Sequence, residues 1–307
     1  MLRTFSPEGI WPQDNQWGMH DYTREGAQGC TSFNEIIAKG YGEPQSAKEF
    51  AELAQWVNYD GHRSLFESRS QNRKGLLMWM SHSCWPSMVW QTYDYYFEPT
   101  AAYFAIKKAS EPLHIQWNPA TDEVEVVNYS AGTRKGLTAK VQILNMDGSV
   151  AWEKEATVDS NEDTTNKCIK LAFPVNLSKV HFIKMVLTEN GKVVSDNFYH
   201  RSLEENNYQD LRQLAKVALQ STTTVDKHAD GTWSAVSVIE NKTSTPALMI
   251  RLNVVGNKDG QQLLPVFYSD NYFSLLPGEK KEVRMSWKDE DTRGNEGKVL
   301  ITGYNVE

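Results

Sequence analysis

The run Gly75-Leu76-Leu77-Met78-Trp79-Met80-Ser81-His82-Ser83-Cys84-Trp85-Pro86-Ser87 decides how the first third of the chain is read. Residues 76–80 are apolar without interruption, the pattern of a strand buried on both faces rather than one that alternates. Gly75 supplies a helix stop just before it. Upstream, Ser46-Ala47-Lys48-Glu49 has the spacing of a capping box, in which the Ser hydroxyl and the Glu carboxylate satisfy orphan amides reciprocally. Phe50, Leu53, Ala54, Val57 and Leu65 continue an apolar stripe at helical spacing, predicting a helix from Ser46 to about Asn72. A helix leading into a buried strand is α/β in character. Pro99 opens a second helical stretch, Thr100 to Ala109, which stops ahead of Pro112. Residues 1–45 are rich in Gly, Pro, Trp and Asp with no sustained period, as expected of irregular loop around short helical turns.

The period changes from Leu113 onward. Val124 and Val126 alternate with Glu123 and Glu125, and Val141 and Ile143 flank Gln142; Asp147-Gly148 and Asn190-Gly191 mark hairpins. This predicts a β-sandwich over 113–203. The charged residues 204–210 read as a linker. Beyond them, Trp233, Val236 and Val238, then Leu248, Ile250, Leu252 and Val254, mark strands. Pro277-Gly278 is a turn, and Val283, Met285, Val299 and Ile301 belong to late strands, which predicts a second sandwich over 211–307.

Composition excludes several classes. With Lys+Arg 32 against Asp+Glu 39, the net charge of -7 offers no footprint for nucleic acid or an anionic membrane surface. No apolar run approaches the roughly 20 residues of a membrane-spanning helix. Residues 1–7 lack the apolar core of a signal peptide, which says nothing about a longer parent. Cys30, Cys84 and Cys168 form neither a disulfide framework nor a CxxC knuckle, and His82-x-Cys84 has no second pair at ligand spacing. Neither metal nor cofactor is expected. Ten Trp and thirteen Tyr are the outstanding feature, with Trp11, Trp17, Trp56, Trp79, Trp85 and Trp90 crowded into the first third. Sugar clefts and dense cores both use such crowding.

Several segments resemble one family. The run 75–87, followed by Tyr93-Asp94-Tyr95-Tyr96 and Pro99-Thr100-Ala101-Ala102-Tyr103, is similar to the last barrel strand and its loop in family 2 glycoside hydrolases, nearest the branch of β-mannosidases and exo-β-glucosaminidases. Trp11-Pro12-Gln13, Trp17-Gly18-Met19-His20-Asp21 and Glu25-Gly26-Ala27-Gln28-Gly29 resemble the segment after that family's nucleophile strand. Ser195-Asp196-Asn197-Phe198-Tyr199 resembles the closing strand of its first C-terminal sandwich, with His200 where the family often has Trp. Ser269-Asp270-Asn271-Tyr272-Phe273 with Leu276-Pro277-Gly278-Glu279 looks like the last sandwich.

The resemblance implies a mixed fold: the C-terminal remnant of a (β/α)8 barrel over 1–112, followed by two immunoglobulin-like β-sandwich domains. It further implies a secreted or periplasmic parent, an exo-acting retaining hydrolase of β-mannoside, β-glucosaminide or β-galactoside bonds in glycans. Retention requires two carboxyl groups roughly 5–5.5 Å apart, one a nucleophile and one an acid/base. In the family the acid/base follows an Asn on a middle strand and the nucleophile precedes the region where this chain starts; neither has a convincing counterpart. Asn34-Glu35 lies on a helical segment and Glu35 reads as a solvated carboxylate; Ser110-Glu111 closes a helix ahead of Pro112. No catalytic residue is therefore assigned, and the chain alone is expected to be inactive. A barrel of eight βα units takes roughly 250 residues. The shortfall predicts that the missing N-terminal barrel and sandwich domains are partners of this chain, and that it self-associates through the incomplete barrel. Trp79 and Trp85 are expected to wall the terminal-sugar subsite, with Trp17, His20 and Asp21 bordering it. The competing reading is a carbohydrate-binding or scaffold module without catalysis, which would align Trp117, Trp152, Trp233 or Trp287 on an exposed sandwich face.

Overall fold

A computed structural model of the chain describes residues 4–22, 30–68, 75–88 and 91–307, with side chains from Phe33 onward in the second helix. The motif 25–29, Trp90 and the expected helix end at Asn72 lie outside the described residues. Two compact units partition the chain: unit 1 is Met1–Tyr59, Met78–Phe104 and Leu214–Glu307, and unit 2 is Asp60–Leu77 and Ala105–Gln213.

The described residues include four α-helices: α1 (Asn15–Met19), α2 (Cys30–Tyr41), α3 (Ala47–Ser68) and α4 (Ala101–Ala109). Asp14 caps α1 by accepting from the Gln16 amide at 2.8 Å. At the start of α3, Ser46 Oγ accepts from the Glu49 amide at 3.2 Å, and the Glu49 carboxylate returns to the Gln45 amide at 2.8 Å, one residue upstream of the capping-box partner. Phe50, Leu53 and Trp56 form the buried face of its first half, each at most 5% exposed. The expected stripe fails at Leu65, which is exposed, because the buried face farther on carries Arg63, Phe66 and Glu67.

The strand expected over 76–80 does not form. Leu77 and Trp79 are 103% and 79% exposed, and among the described residues the backbone bridges nearby are His82 to Tyr93 and Tyr93 to Pro99. A strand buried on both faces needs hydrogen-bonded neighbours and covering helices, and among the described residues no strand lies beside this run.

The rest of the chain is β-sheet in two immunoglobulin-like sandwiches. In unit 2, β1 (Leu113–Asn118), β2 (Glu123–Asn128), β3 (Arg134–Asn145), β4 (Val150–Ser160), β5 (Thr164–Lys170), β6 (Val180–Glu189) and β7 (Lys192–Ser202) form sheets of order β1-β2-β5 and β4-β3-β6-β7. Ile115, Val126, Val141, Ile143, Ile183 and Leu187 meet between them at 0% exposure, each burial stabilising by roughly 1.5–3 kcal/mol. Asn190 and Gly191 join β6 to β7 with φ of 50° and 76°, the left-handed pair that a two-residue hairpin requires. Simple alternation would face Glu125 to solvent, yet it is 1% exposed. Gln116 and Asn118 of β1 donate to its carboxylate at 3.1 and 3.0 Å and make that burial tolerable.

In unit 1, β8 (Gln220–Lys227), β9 (Thr232–Glu240), β10 (Ala247–Gly256), β11 (Phe267–Tyr268), β12 (Phe273–Leu275), β13 (Lys280–Lys288) and β14 (Gly297–Thr302) form sheets β12-β10-β14 and β11-β13-β9-β8. Ile239, Ile250, Leu252, Val254 and Val283 are fully buried between them. A Cβ on Gly297 would lie 2.8 Å from the Trp287 ring and 2.9 Å from Val254, so close packing demands glycine there. Trp287 is 2% exposed, and Trp117, Trp152 and Trp233 are half-buried against the two cores.

Candidate functional site

The exposed aromatic surface gathers on the loop between Met80 and Thr100, in unit 1. Backbone bonds pin its base: Tyr93 N donates to Ser81 O at 2.9 Å and Thr100 N to Thr92 O at 2.9 Å, while Thr100 Oγ1 donates to Gln91 O at 3.1 Å. Asp94 Oδ1 accepts from the Tyr96 and Glu98 amides at 2.8 and 2.9 Å, closing the tip that carries Tyr95 and Phe97. Burial raises the Asp94 carboxyl above its ordinary range, and burial beside Tyr103 pushes the Tyr93 hydroxyl up to about 12.

Two aromatic stacks rest on this frame. His82 lies nearly parallel to Phe97, with ring centroids 4.6 Å apart, and to Tyr95 at 6.5 Å. Phe97 and Tyr95 are 56% and 38% exposed. In the second stack, His20 lies between Phe5 at 4.5 Å and Trp85 at 6.0 Å, and Trp85 is 41% exposed. His20 Nδ1 donates to Pro86 O at 2.5 Å, since a carbonyl can only accept, and the Met88 amide donates to His20 O at 2.8 Å. Thus His20 and Trp85, 65 residues apart in sequence, are brought together, and Trp79 stands exposed on the same loop segment. Asp21 follows His20 with φ 65°, turning the chain there.

Trp17 has a different setting. At 1% exposure it packs edge-on against Phe5, Tyr22 and Phe50, and its indole N–H donates to Ile10 O at 3.2 Å. It also forms part of the wall of a cavity of about 170 Å³ shared with Tyr22, Gln91 and Tyr93. Sequence reasoning gave no role to His82, Tyr95 and Phe97. The signal was the Tyr93-Asp94-Tyr95-Tyr96 string, in which the Asp fixes the turn that presents its neighbours.

Flat, exposed rings held on a pinned loop are suited to stacking on the CH faces of a sugar. Proton transfer is a different matter. Asp94 is committed to backbone amides and Glu98 to the guanidinium of Arg251. Glu35 is exposed on α2. Glu111, in unit 2, is bound by Lys108 at 2.8 Å, His114 at 3.1 Å and Ser195 at 2.6 Å; burial opposes its ionisation, but these partners win and hold its pKa below the ordinary value.

Comparison with known proteins follows the same lines. The model of the exo-β-D-glucosaminidase Ig-fold domain matches residues 197–306. An exo-β-D-glucosaminidase of Hypocrea jecorina is 30% identical over 304 residues, covering 90% of this chain and 34% of its own. A mannosylglycoprotein endo-β-mannosidase of Lilium longiflorum is 26% identical, covering 94% of this chain and 37% of its own. The crystal structure of an Amycolatopsis orientalis exo-chitosanase superposes with a TM-score of 0.91 at 27% identity, over 99% of this chain and 40% of that one. The chain spans about a third of the length of the curated relatives it matches. Over nearly all its length, the chain is similar to the C-terminal portion of family 2 glycoside hydrolases in the exo-β-glucosaminidase and β-mannosidase branch.

Proposed function

We propose that the chain is the C-terminal part of a retaining exo-β-glycosidase acting on O-glycosyl bonds of glycans, and that by itself it hydrolyses nothing. Residues 1–112 are the end of the catalytic barrel, 113–203 and 211–307 the two sandwiches, and 204–210 their linker. The run 76–80 becomes the last barrel strand only beside the rest of a barrel; in isolation its exposed Leu77 and Trp79 favour self-association. The aromatic loop contributes to the subsite of the terminal sugar. Trp79 and Trp85 stack on the ring, His20 orients Trp85, Asp21 borders the cleft, and Trp17 supports it from within. The observation that carries this reading is the colinear match of nearly the whole chain to about a third of exo-β-D-glucosaminidases, joined to the lack, among the loop's described residues, of an uncommitted carboxylate pair. β-Glucosaminides are favoured over β-mannosides and β-galactosides because the family model and most curated matches carry the glucosaminidase name. The sandwich tryptophans pack against cores, so no observation favours a binding module built on a sandwich face.

The test is to incubate the purified chain with aryl β-glucosaminide, β-mannoside and β-galactoside. No turnover is expected, while glucosamine should quench tryptophan fluorescence in the parent chain and not in Trp85→Ala. Turnover that a single Glu substitution within the chain abolishes would overturn the proposal.

A further inference from the structure

Within unit 1, α3 and the loop before α4 enclose a cavity of about 640 Å³ against β10 and the end of β14. That volume falls in the range of small-molecule sites, roughly 300–1,000 Å³. It is lined apart from the aromatic stacks: neither Trp79, Trp85, His20, Tyr95 nor Phe97 contributes to it.

The wall mixes donors and acceptors. Gln55 spends its side-chain oxygen on the Ala101 amide at 2.7 Å, which leaves its NH2 to serve the cavity. Asn253 on β10 likewise spends its oxygen, accepting from Gln262 at 3.5 Å. Tyr304 contributes a phenol whose ring is held against Trp56 at 5.1 Å. The charges do not cancel. Arg251, half-buried, is paired with Glu98. Glu52 is two-thirds shielded and forms a long ion pair with Lys48 Nζ at 3.8 Å, a cation that is itself 80% exposed. Burial raises the Glu52 carboxyl above its ordinary range, with Lys48, Lys216 and Arg251 opposing the shift. An anionic ligand would meet this desolvated carboxylate and that of Asp94. A neutral sugar would bury Glu52 further against only the long, solvent-facing ion pair with Lys48, at a cost. A ligand with hydroxyls for the two amides and an ammonium for Glu52 satisfies all of them.

We propose that this cavity is a second saccharide site, separate from the aromatic loop, that takes an amino-sugar unit with its ammonium on Glu52 and its hydroxyls on Gln55 and Asn253. It goes beyond the function proposed above and does not depend on it. The test is calorimetric titration of the full chain with the β-1,4-linked disaccharide of glucosamine, with cellobiose as the amine-free control. The parent chain should bind the amino disaccharide and bind cellobiose weakly, and the Trp79→Ala/Trp85→Ala double variant should lose at most the component that belongs to the aromatic loop while keeping the Glu52-dependent one. Glu52→Gln should weaken binding about tenfold or more, as expected for loss of a hydrogen bond to a charged group. Asn253→Leu, on a different element, should weaken it as well, so the result does not hang on one variant's folding. No binding by the parent chain, equal affinity for cellobiose, or loss of binding in the double tryptophan variant with retention in Glu52→Gln would each overturn the assignment. Only the last of these leaves the proposed role of the loop intact.

Discussion

The two units repeat one five-residue pattern, Ser-Asp-Asn followed by two aromatics, and put it to the same mechanical use with different chemistry. In unit 2, β1 is an edge strand, and β7 closes that edge with side chains rather than a backbone ladder. Ser195 Oγ accepts from Ile115 N at 3.1 Å, Asn197 Nδ2 donates to Ile115 O at 3.1 Å, and Tyr199 OH accepts from Trp117 N at 3.3 Å. These three residues alternate along β7 and so share one face. In unit 1, β12 is only three residues long and leaves part of β10 uncovered. Asn271 fills the gap, accepting from Leu252 N at 2.8 Å and donating to Leu252 O at 3.0 Å, while Tyr268 OH accepts from Val254 N at 3.2 Å. An amide side chain can stand in for a strand because it carries the same donor and acceptor as a peptide.

The difference lies behind the cap. The Asn271 side chain meets backbone groups, those of Leu252 and the Tyr272 amide at 3.1 Å. Asn197 sits in a buried ionic network: Glu67 accepts from Asn197 Nδ2 at 2.8 Å, from Tyr199 OH at 2.9 Å and from His114 Nε2 at 3.1 Å, and Arg63 donates to Asn197 Oδ1 at 3.1 Å. The largest expected effect is therefore Glu67→Gln. It removes one of the two carboxylates that hold the buried His114, leaving only Glu111, while Arg63 keeps Asp60 at 2.8 Å, and should destabilise unit 2 by about 3–5 kcal/mol. Hydrogen exchange reads this directly: the Ile115 and Trp117 amides lose protection, while Leu252 and Val254 keep theirs. Equal loss in both units would mean that the network is not what distinguishes them.

Asn271→Ala tests the neutral cap. It strips partners from the N–H and C=O of Leu252, which is fully buried, and each orphaned group costs about 1–3 kcal/mol. A loss of about 2–4 kcal/mol is expected, read as exposure of the Leu252 amide with Ile115 unchanged. Loss below about 0.5 kcal/mol would show that Asn271 does not act as a strand substitute.

Much of the frame that holds these caps was legible from sequence, because turns and helix starts depend on near neighbours. Asn190-Gly191 marks a hairpin since both positions need positive φ, and Ser46 with Glu49 marks a helix start through contacts at most four residues long. The caps themselves were not legible. Ser195 and Asn197 act on residues 80 or more positions away, and nothing local separates them from solvated side chains. Glu125 departs from simple alternation for the same reason, its burial being set by Gln116 and Asn118 on the paired strand. The run 76–80 failed in the opposite sense: its apolar pattern states what the segment could bury, and burial needs strands that the described residues do not place beside it. Of the candidate site, Trp79, Trp85 and His20 were legible as exposed or exposable aromatics. Trp17 looked the same in sequence and became core, since only the fold brings Phe5, Tyr22 and Phe50 around it.

The smallest effect, and the sharpest separator of the units, is pH dependence above neutrality. Both ring nitrogens of His114 face carboxylates, Glu67 at 3.1 Å and Glu111 at 3.1 Å, and a carboxylate only accepts, so both nitrogens must carry hydrogen. Burial disfavours that imidazolium, but the hydrogen bonds it donates to Glu111 and Glu67 outweigh it and raise the pKa above the ordinary value. A raised pKa gives stability that is fully present below the unfolded value, about 6.5, and lost as pH rises through the folded one. His181 and His200 in the same unit are shifted down by burial, so their contribution is present above about 6.5 and lost toward acid. Glu111 adds to the acid side, where its depressed pKa makes stability fall with pH. Tyr199, raised by burial, and Cys168, raised to about 11, act only from about pH 8.5 upward. Between about pH 6.5 and 8.5 the alkaline loss in unit 2 therefore belongs to His114. Among the described residues no histidine of unit 1 bridges two carboxylates. Protection of Ile115 should decline across that window and protection of Leu252 should not, once both are corrected for intrinsic exchange. His114→Gln should flatten the unit 2 slope; a slope that survives it would place the titrating group elsewhere.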